Sequence, residues 1–202
     1  MPNASRILVD IDSTLYEMLP VLSVYSKRLH GVSFRPQDVD DWDYWAKIGL
    51  TLPQWLAVID ASHERTQVMA NKPFPGAVEA IRRWAAAGAA IHVVSDRKSE
   101  TFDVTRAWLA HIGLPAHTLF LAPRVDKLAY AREHQIDLVI DDKPSLIASL
   151  AAANVPVATV SYGYNRAVIE LALKQGALVI AAPTWPRLAV AIERRFTIGR
   201  RS

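Results

Sequence analysis

Four aspartates stand where apolar runs stop. Ile7-Leu8-Val9 leads into Asp10-Ile11-Asp12-Ser13-Thr14, and Leu138-Val139-Ile140 leads into Asp141-Asp142-Lys143-Pro144. Carboxylate and carbonyl oxygens are what a hard divalent cation such as Mg²⁺ binds. Alone, Asp10-x-Asp12-x-Thr14 reads equally well as a capping or turn cluster, because Asp, Ser and Thr favour such places. The second acidic pair separates the two readings: four like charges on one sheet edge would repel unless a cation neutralised them. The run Ile91-His92-Val93-Val94-Ser95 ends in a hydroxyl, and Lys127 opens a helical pattern after the run at 118–121. Carboxylates, a hydroxyl and an ammonium on one edge describe a phosphoryl-transfer site. Arg124 and Lys143 are close enough in sequence to compete for the lysine role, and the helix-start position favours Lys127.

These residues need strands to carry them to a common edge. Apolar runs at 7–9, 91–94, 118–121, 138–140, 157–160 and 178–180 are mostly unbroken, as in strands covered on both faces. Helical patterns lie between them at 76–87, from Ser99 towards Gly113, and at 126–133, 145–153, 165–174 and 185–196. This alternation predicts an α/β fold, a doubly wound parallel sheet with helices on both faces. Residues 16–72 contain no strand pattern, yet the first strand should need a single crossover helix. The surplus predicts a small helical cap inserted after strand 1, at the carboxyl end where such sheets bind ligands. A merely decorative helical insertion is the alternative. The expected division is a core of 1–15 and 73–202 and a cap of 16–72.

In this order, Asp10-x-Asp12-x-Thr14, Ser95, Lys127 and Asp141-Asp142 resemble the four motifs of the haloacid dehalogenase superfamily of phosphohydrolases, over nearly the whole chain. The resemblance implies a Rossmann-like core and an aspartyl-phosphate mechanism. Asp10 would be the nucleophile and Asp12 the general acid–base. Ser95 and the amide after it would hold the phosphate, with Lys127 bridging nucleophile and phosphate. Mg²⁺ would lie between the Asp10 carboxylate, the Asp12 carbonyl and the Asp141/Asp142 pair. An aspartate at position 12 suits phosphate esters, whose leaving alkoxide needs a proton. IDDKP, SYGYN, PTWPRL and DVDDWDYW also resemble the 5′(3′)-deoxyribonucleotidases, whereas Ser95-Asp96-Arg97 departs from their Thr-Ser-Pro-like turn. The implied substrate is a nucleoside monophosphate. Thr14, Asp96 and Arg97, with Trp42 and Trp45 from the cap, are the expected substrate contacts. A phosphatase of another small metabolite, such as a sugar phosphate, and a non-catalytic binding protein on the same fold stay open.

Several residues carry a plain reading beside a functional one. Trp42, Tyr44, Trp45 and Trp55 could stack on a nucleobase or form the core of the cap. Asp38, Asp40, Asp41 and Asp43 lack the glycine and distal glutamate of an EF-hand and read as a capped, solvated turn. The six histidines show no metal-ligand spacing. His92 reads as a strand residue facing a helix, the others as surface or packing groups. Arg97 and Lys98 could meet a phosphate or simply be solvated.

Composition narrows the remaining classes. At 51% hydrophobic and 21% charged, the 202 residues can build a core, which excludes wholesale disorder. The net charge is +3, but without Arg194, Arg195, Arg200 and Arg201 the balance is 19 basic against 20 acidic residues. The excess belongs to the tail, where cations suit a helix end, so no nucleic-acid groove is indicated. With no cysteine, disulfides and thiolate chemistry are impossible. GxSxG, Walker A and GxGxxG patterns are absent. The first twelve residues already hold two aspartates, unlike a secretory signal, and no run approaches a membrane span. The expectation is a cytoplasmic enzyme of small phosphorylated substrates, with a homo-oligomer left open.

Overall fold

The first strands set the frame. A computed structural model describes residues 2–199, beginning with β1 (Asn3–Ala4) and β2 (Arg6–Val9). Helices α1 (Leu19–His30), α2 (Tyr44–Lys47), α3 (Leu52–Ser62) and α4 (Arg65–Ala70) then precede α5 (Ala77–Ala86). Strand–helix alternation follows: β3 (Ala90–Ser95), α6 (Phe102–His111), β4 (His117–Leu121), α7 (Lys127–Glu133), β5 (Leu138–Ile140) and α8 (Pro144–Ala152). The chain continues through β6 (Val157–Val160), α9 (Arg166–Lys174), β7 (Val179–Ala182), α10 (Trp185–Arg195) and β8 (Thr197–Ile198). Arg200 and Arg201 lie outside the described residues. No described helix is long and apolar enough to cross a membrane.

Six strands form one parallel sheet in the order β4-β3-β2-β5-β6-β7. Residues along β2 alternate between two cores, one on each face. Ile7 and Val9 join Ile81, Trp84, Trp108 and Leu188, whereas Leu8 joins Tyr130, Ile147 and Ile169 from α7 to α9. Burial on both faces is why the strands read as unbroken apolar runs. The expected doubly wound α/β fold is therefore present. The small parallel pair β1–β8 was not foreseen, since two-residue strands are too short for a periodic signal.

The register fixes the site. Val9 lies opposite both Val93 and Ile140, so β2 and β5 end level while β3 runs two residues further, to Ser95. The ladder continues one residue further: Asp10 N donates to Ile140 O at 2.9 Å, and Asp141 N to Ala158 O at 3.1 Å. β2 is central, with β3 and β4 on one side and β5 to β7 on the other, so Asp10 and Asp141 flank the point where the winding reverses. That crevice is where open α/β sheets bind ligands.

Three buried tryptophans anchor the segments around this edge. Trp185 Nε1 donates to Thr14 O at 2.6 Å, Trp108 Nε1 to Asn71 O at 2.8 Å, and Trp84 Nε1 to Glu193 Oε1 at 2.9 Å. Each ring buries a large apolar area while its N–H fixes a loop or helix. The helical segment leaves at Tyr16 and returns at Pro73, where the two chains bridge, and Phe74 N donates to Leu15 O at 2.8 Å. Inside it, Phe34 packs edge-on to Tyr44 and tilted against Trp55. Those two rings belong to the packing of the segment.

Candidate active site

The floor is built from strand ends and one helix start. Lys127, the first residue of α7, is buried, and its Nζ lies 2.6 Å from both Asp10 Oδ1 and Asp141 Oδ2. Asp126 caps that helix by accepting from Ala129 N at 2.9 Å, which holds Lys127 facing the edge. Arg124 makes no such contact among the described hydrogen bonds, and Lys143 pairs with Asp96 at 2.8 Å. Asp142 accepts from Thr14 Oγ1 at 3.1 Å and from the Tyr164 hydroxyl at 2.6 Å. Thr14, expected against substrate, is thus buried behind Asp142. Ser95 is buried at the end of β3, and its Oγ accepts weakly from Arg97 N at 3.4 Å.

Asp12 diverges from Asp10 where the strand gives way to a tight turn, and the next residue, Ser13, adopts φ 55°, the left-handed region. Its carboxylate takes a two-pronged contact from Arg97, Nε to Oδ2 at 3.0 Å and Nη2 to Oδ1 at 2.8 Å, plus the Tyr16 hydroxyl at 2.7 Å. Arg97 also reaches Thr105 and Tyr16, and it is 2% exposed. Expected either at a substrate phosphate or in solvent, Arg97 is buried rather than solvated and lines the cavity. Its donors are spent on Asp12, because a buried guanidinium requires a matched acceptor.

Electrostatics set the two acidic groups apart. Burial pushes the Asp10 carboxyl well above its ordinary value; Lys127 opposes this, and Asp141 and Asp142 reinforce it. Burial and the Asp141 charge push Asp142 up to about 7, against the hydrogen bonds from Tyr164 and Thr14. Burial would also raise Asp12, but Arg97 and His63 outweigh it and hold that carboxyl well below the usual range. One ammonium therefore faces three buried carboxylates. Asp10, Asp141 and Asp142 each offer an oxygen, all within 4.8 Å of one another. An all-oxygen donor set with surplus negative charge fits a hard divalent cation.

Above the floor lies a cavity of about 290 Å³. Its lining cations Arg97, Lys127 and Lys143 all belong to the sheet edge, and each is paired with a carboxylate. The opposite wall comes from the helical segment, including Trp42, Trp45, Leu52 and Leu56 with Asp41 and Asp43. Trp42 is 47% exposed and meets Tyr164 edge-on at 5.6 Å. Trp45 Nε1 donates to Asp43 Oδ1 at 3.1 Å. The acidic run is otherwise paired locally, Asp38 with Arg35 and Asp40 with Lys47.

Sequence reasoning passed over several supports. Tyr164 and Asn165 lie within SYGYN, and Asn165 Nδ2 donates to Asp142 O and Val160 O, tying the acidic loop after β5 to β6. Gly163 allows close approach: a Cβ there would sit 2.5 Å from Val39 O of the helical segment. His63, read as a packing group, is buried with Nε2 3.4 Å from Asp12 Oδ2. Nothing in its spacing marks it. His92 does face a helix, with Nδ1 3.1 Å from the Tyr130 hydroxyl.

Fold and site together define an open α/β protein with a carboxylate-lined reaction edge. The chain has the haloacid dehalogenase fold and resembles the hydrolases of that superfamily. No protein-family model matches it. A protein of Halalkalibacterium halodurans named "Putative nucleotidase BH1399" is 25% identical over 162 residues, 80% of this chain and 82% of that protein. A solved structure described as a predicted phosphatase from Clostridium acetobutylicum superposes with a TM-score of 0.66 at 14% identity, covering 95% of this chain and 99% of that one. A Deinococcus radiodurans HAD family hydrolase, with bound phosphate and sodium, gives 0.59 at 16% identity over 94% and 96%. At such identities the solved structures establish the fold.

Proposed function

We propose that this protein is a Mg²⁺-dependent phosphomonoesterase acting on nucleoside monophosphates, with residues 16–72 as its cap. The observation that carries the reading is Lys127 Nζ between Asp10 and Asp141 at 2.6 Å, on the floor of the cavity. An Asp10 carboxylate oxygen attacks phosphorus and the ester oxygen departs, leaving phosphate on Asp10. Asp12 gives that alkoxide its proton. It then takes a proton from water, whose oxygen attacks the same phosphorus, releasing phosphate and restoring Asp10. Lys127 offsets charge on the nucleophile and the transferred group. Asp10, Asp141, Asp142 and the Asp12 carbonyl would hold Mg²⁺, which when bound supplies countercharge to carboxylates and phosphate. Ser95 and the Asp96 amide receive the phosphate oxygens.

The leaving group is inferred from the wall opposite the floor. Trp42 presents an exposed face to the cavity, as stacking on a base requires. No lysine or arginine lines that wall, and Asp41 and Asp43 repel a second anionic group. A nucleoside fits such a wall better than a phosphorylated sugar. The nucleotidase relative of Halalkalibacterium halodurans supports the same substrate class. In its present arrangement Asp12 favours the proton-accepting half of the cycle, because Arg97 holds it ionised. Donation requires that grip to loosen when substrate fills the site.

A screen of phosphorylated metabolites with Mg²⁺ tests the assignment. Turnover of nucleoside monophosphates above sugar phosphates is expected. Preference for sugar phosphates over every nucleotide would overturn the substrate class, and no hydrolysis of any phosphomonoester would overturn the enzyme.

A further inference from the structure

His63 is a buried polar side chain with no task in the mechanism above. It follows α3 at that helix's C-terminal end, and only 9% of it is exposed. Its Nε2 has no well-formed hydrogen bond; the nearest carboxylate oxygen is Asp12 Oδ2 at 3.4 Å. Leaving a ring nitrogen buried and unpaired is costly, so retaining it there needs a return. Asp12 already has partners from its own side, Arg97 and Tyr16. His63 approaches from the helical segment. The same end of α3 is tied to the loop after β3 by Lys98 Nζ to Asp60 Oδ2 at 2.7 Å.

We infer that His63 is a positioning residue for Asp12 and that the end of α3 delivers it. Arg97 and Tyr16 hold the Asp12 carboxylate from the core, and His63 closes the remaining approach from the helical segment. A movement of α3 by a few tenths of an ångström towards the sheet edge turns the 3.4 Å contact into a full hydrogen bond. Asp12 then has its full set of partners only while α3 is seated, which ties proton transfer to docking of the cap. The Lys98–Asp60 pair is exposed and screened by solvent, so it guides the seating more than it secures it. The inference rests on the phosphatase reading for the role of Asp12.

The test uses the full chain, p-nitrophenyl phosphate and Mg²⁺. His63→Leu should lower kcat about tenfold with KM changed less than about twofold, the pattern of a group that orients a proton carrier. His63→Gln, whose amide can still donate to Asp12, should return to within about threefold of wild type, and Asp60→Asn should cost about twofold. A wild-type kcat in His63→Leu, or His63→Gln no better than His63→Leu, would overturn the inference. Hydrogen–deuterium exchange over residues 60–64 gives a readout independent of turnover. It should quicken in His63→Leu, and unchanged exchange would refute the seating whether or not any ester is hydrolysed. Wild-type inactivity on all phosphomonoesters would instead count against the phosphatase reading.

Discussion

The floor and the roof of the cavity are built on opposite physical terms. On the floor, Asp10, Lys127, Asp141 and Asp142 are all buried, and their positions come from two neighbouring strands in register and one helix start. The roof is made of Trp42, Trp45, Leu52 and Leu56 on short helices and loops, and Trp42, Leu52 and Leu56 are each more than two-fifths exposed. A crowded, desolvated floor magnifies every charge and tolerates no displacement. An exposed aromatic roof offers area without a demanding geometry. The difference teaches where chemistry and choice would reside under the proposed function: reaction type with the sheet edge, and preference among leaving groups with the segment above it.

The sharpest way to break this comparison is on the floor. Asp10→Asn keeps the shape but removes the proposed nucleophile, and kcat on p-nitrophenyl phosphate should fall by about 10³-fold or more. Equal rates in variant and wild type would remove the covalent route. On the roof, Trp42→Ala should raise KM for nucleoside monophosphates by about tenfold, the cost of one lost stacking face, and leave kcat on p-nitrophenyl phosphate nearly unchanged. A fall in kcat on both substrates would show that roof and floor are not separable. Gly163→Ala lies between the two. A Cβ 2.5 Å from Val39 O must push the helical segment off the core, and KM for nucleotides should rise about threefold while p-nitrophenyl phosphate is spared.

The smallest effect concerns stability. With no cation bound, burial and the Asp141 charge push Asp142 up to about 7 from an ordinary 3.8. A carboxyl raised in the folded state binds more protons there than in the unfolded chain, so its contribution is complete below 3.8 and is lost as pH rises through about 7. The melting temperature in EDTA should therefore decline by several degrees from pH 5 to pH 8. Mg²⁺ should restore it most at the higher pH, where the carboxylates are ionised and free to bind. Scanning calorimetry at the two pH values reads both arms, and a flat profile in EDTA would mean that Asp142 does not carry its charge in isolation.

Much of the floor was legible in the chain because strand ends are local events. An unbroken apolar run followed by Asp, Ser or a helix-opening Lys marks a position on the carboxyl edge, and Asp10, Ser95, Lys127 and Asp141 do lie along that edge. The supports were not legible. Tyr164 and Asn165 looked like a loop signature, and only the fold brings them to Asp142 from 22 and 23 residues away. Arg97 read as a phosphate contact or a solvated cation, because a guanidinium beside a serine says nothing about what lies opposite; the structure puts Asp12 there, 85 residues earlier. The rings of the helical segment fit neither extreme alone. Tyr44 and Trp55 pack against Phe34 and also line the cavity, which they share with Trp42 and Trp45.

What the chain by itself determined was the kind of edge: a parallel α/β sheet, acidic at two strand ends, with a lysine and a hydroxyl available to a phosphate. Periodicity and residue type suffice for that, since they act over a few residues. What only the tertiary structure decided was the state of each group. Burial, pairing and approach from distant segments separate a raised Asp10 and Asp142 from an ionised Asp12, set Arg97 as a two-pronged partner of Asp12, and carry His63 to a carboxylate 51 positions away. Those properties depend on what surrounds an atom in three dimensions, which a linear order of residues does not specify.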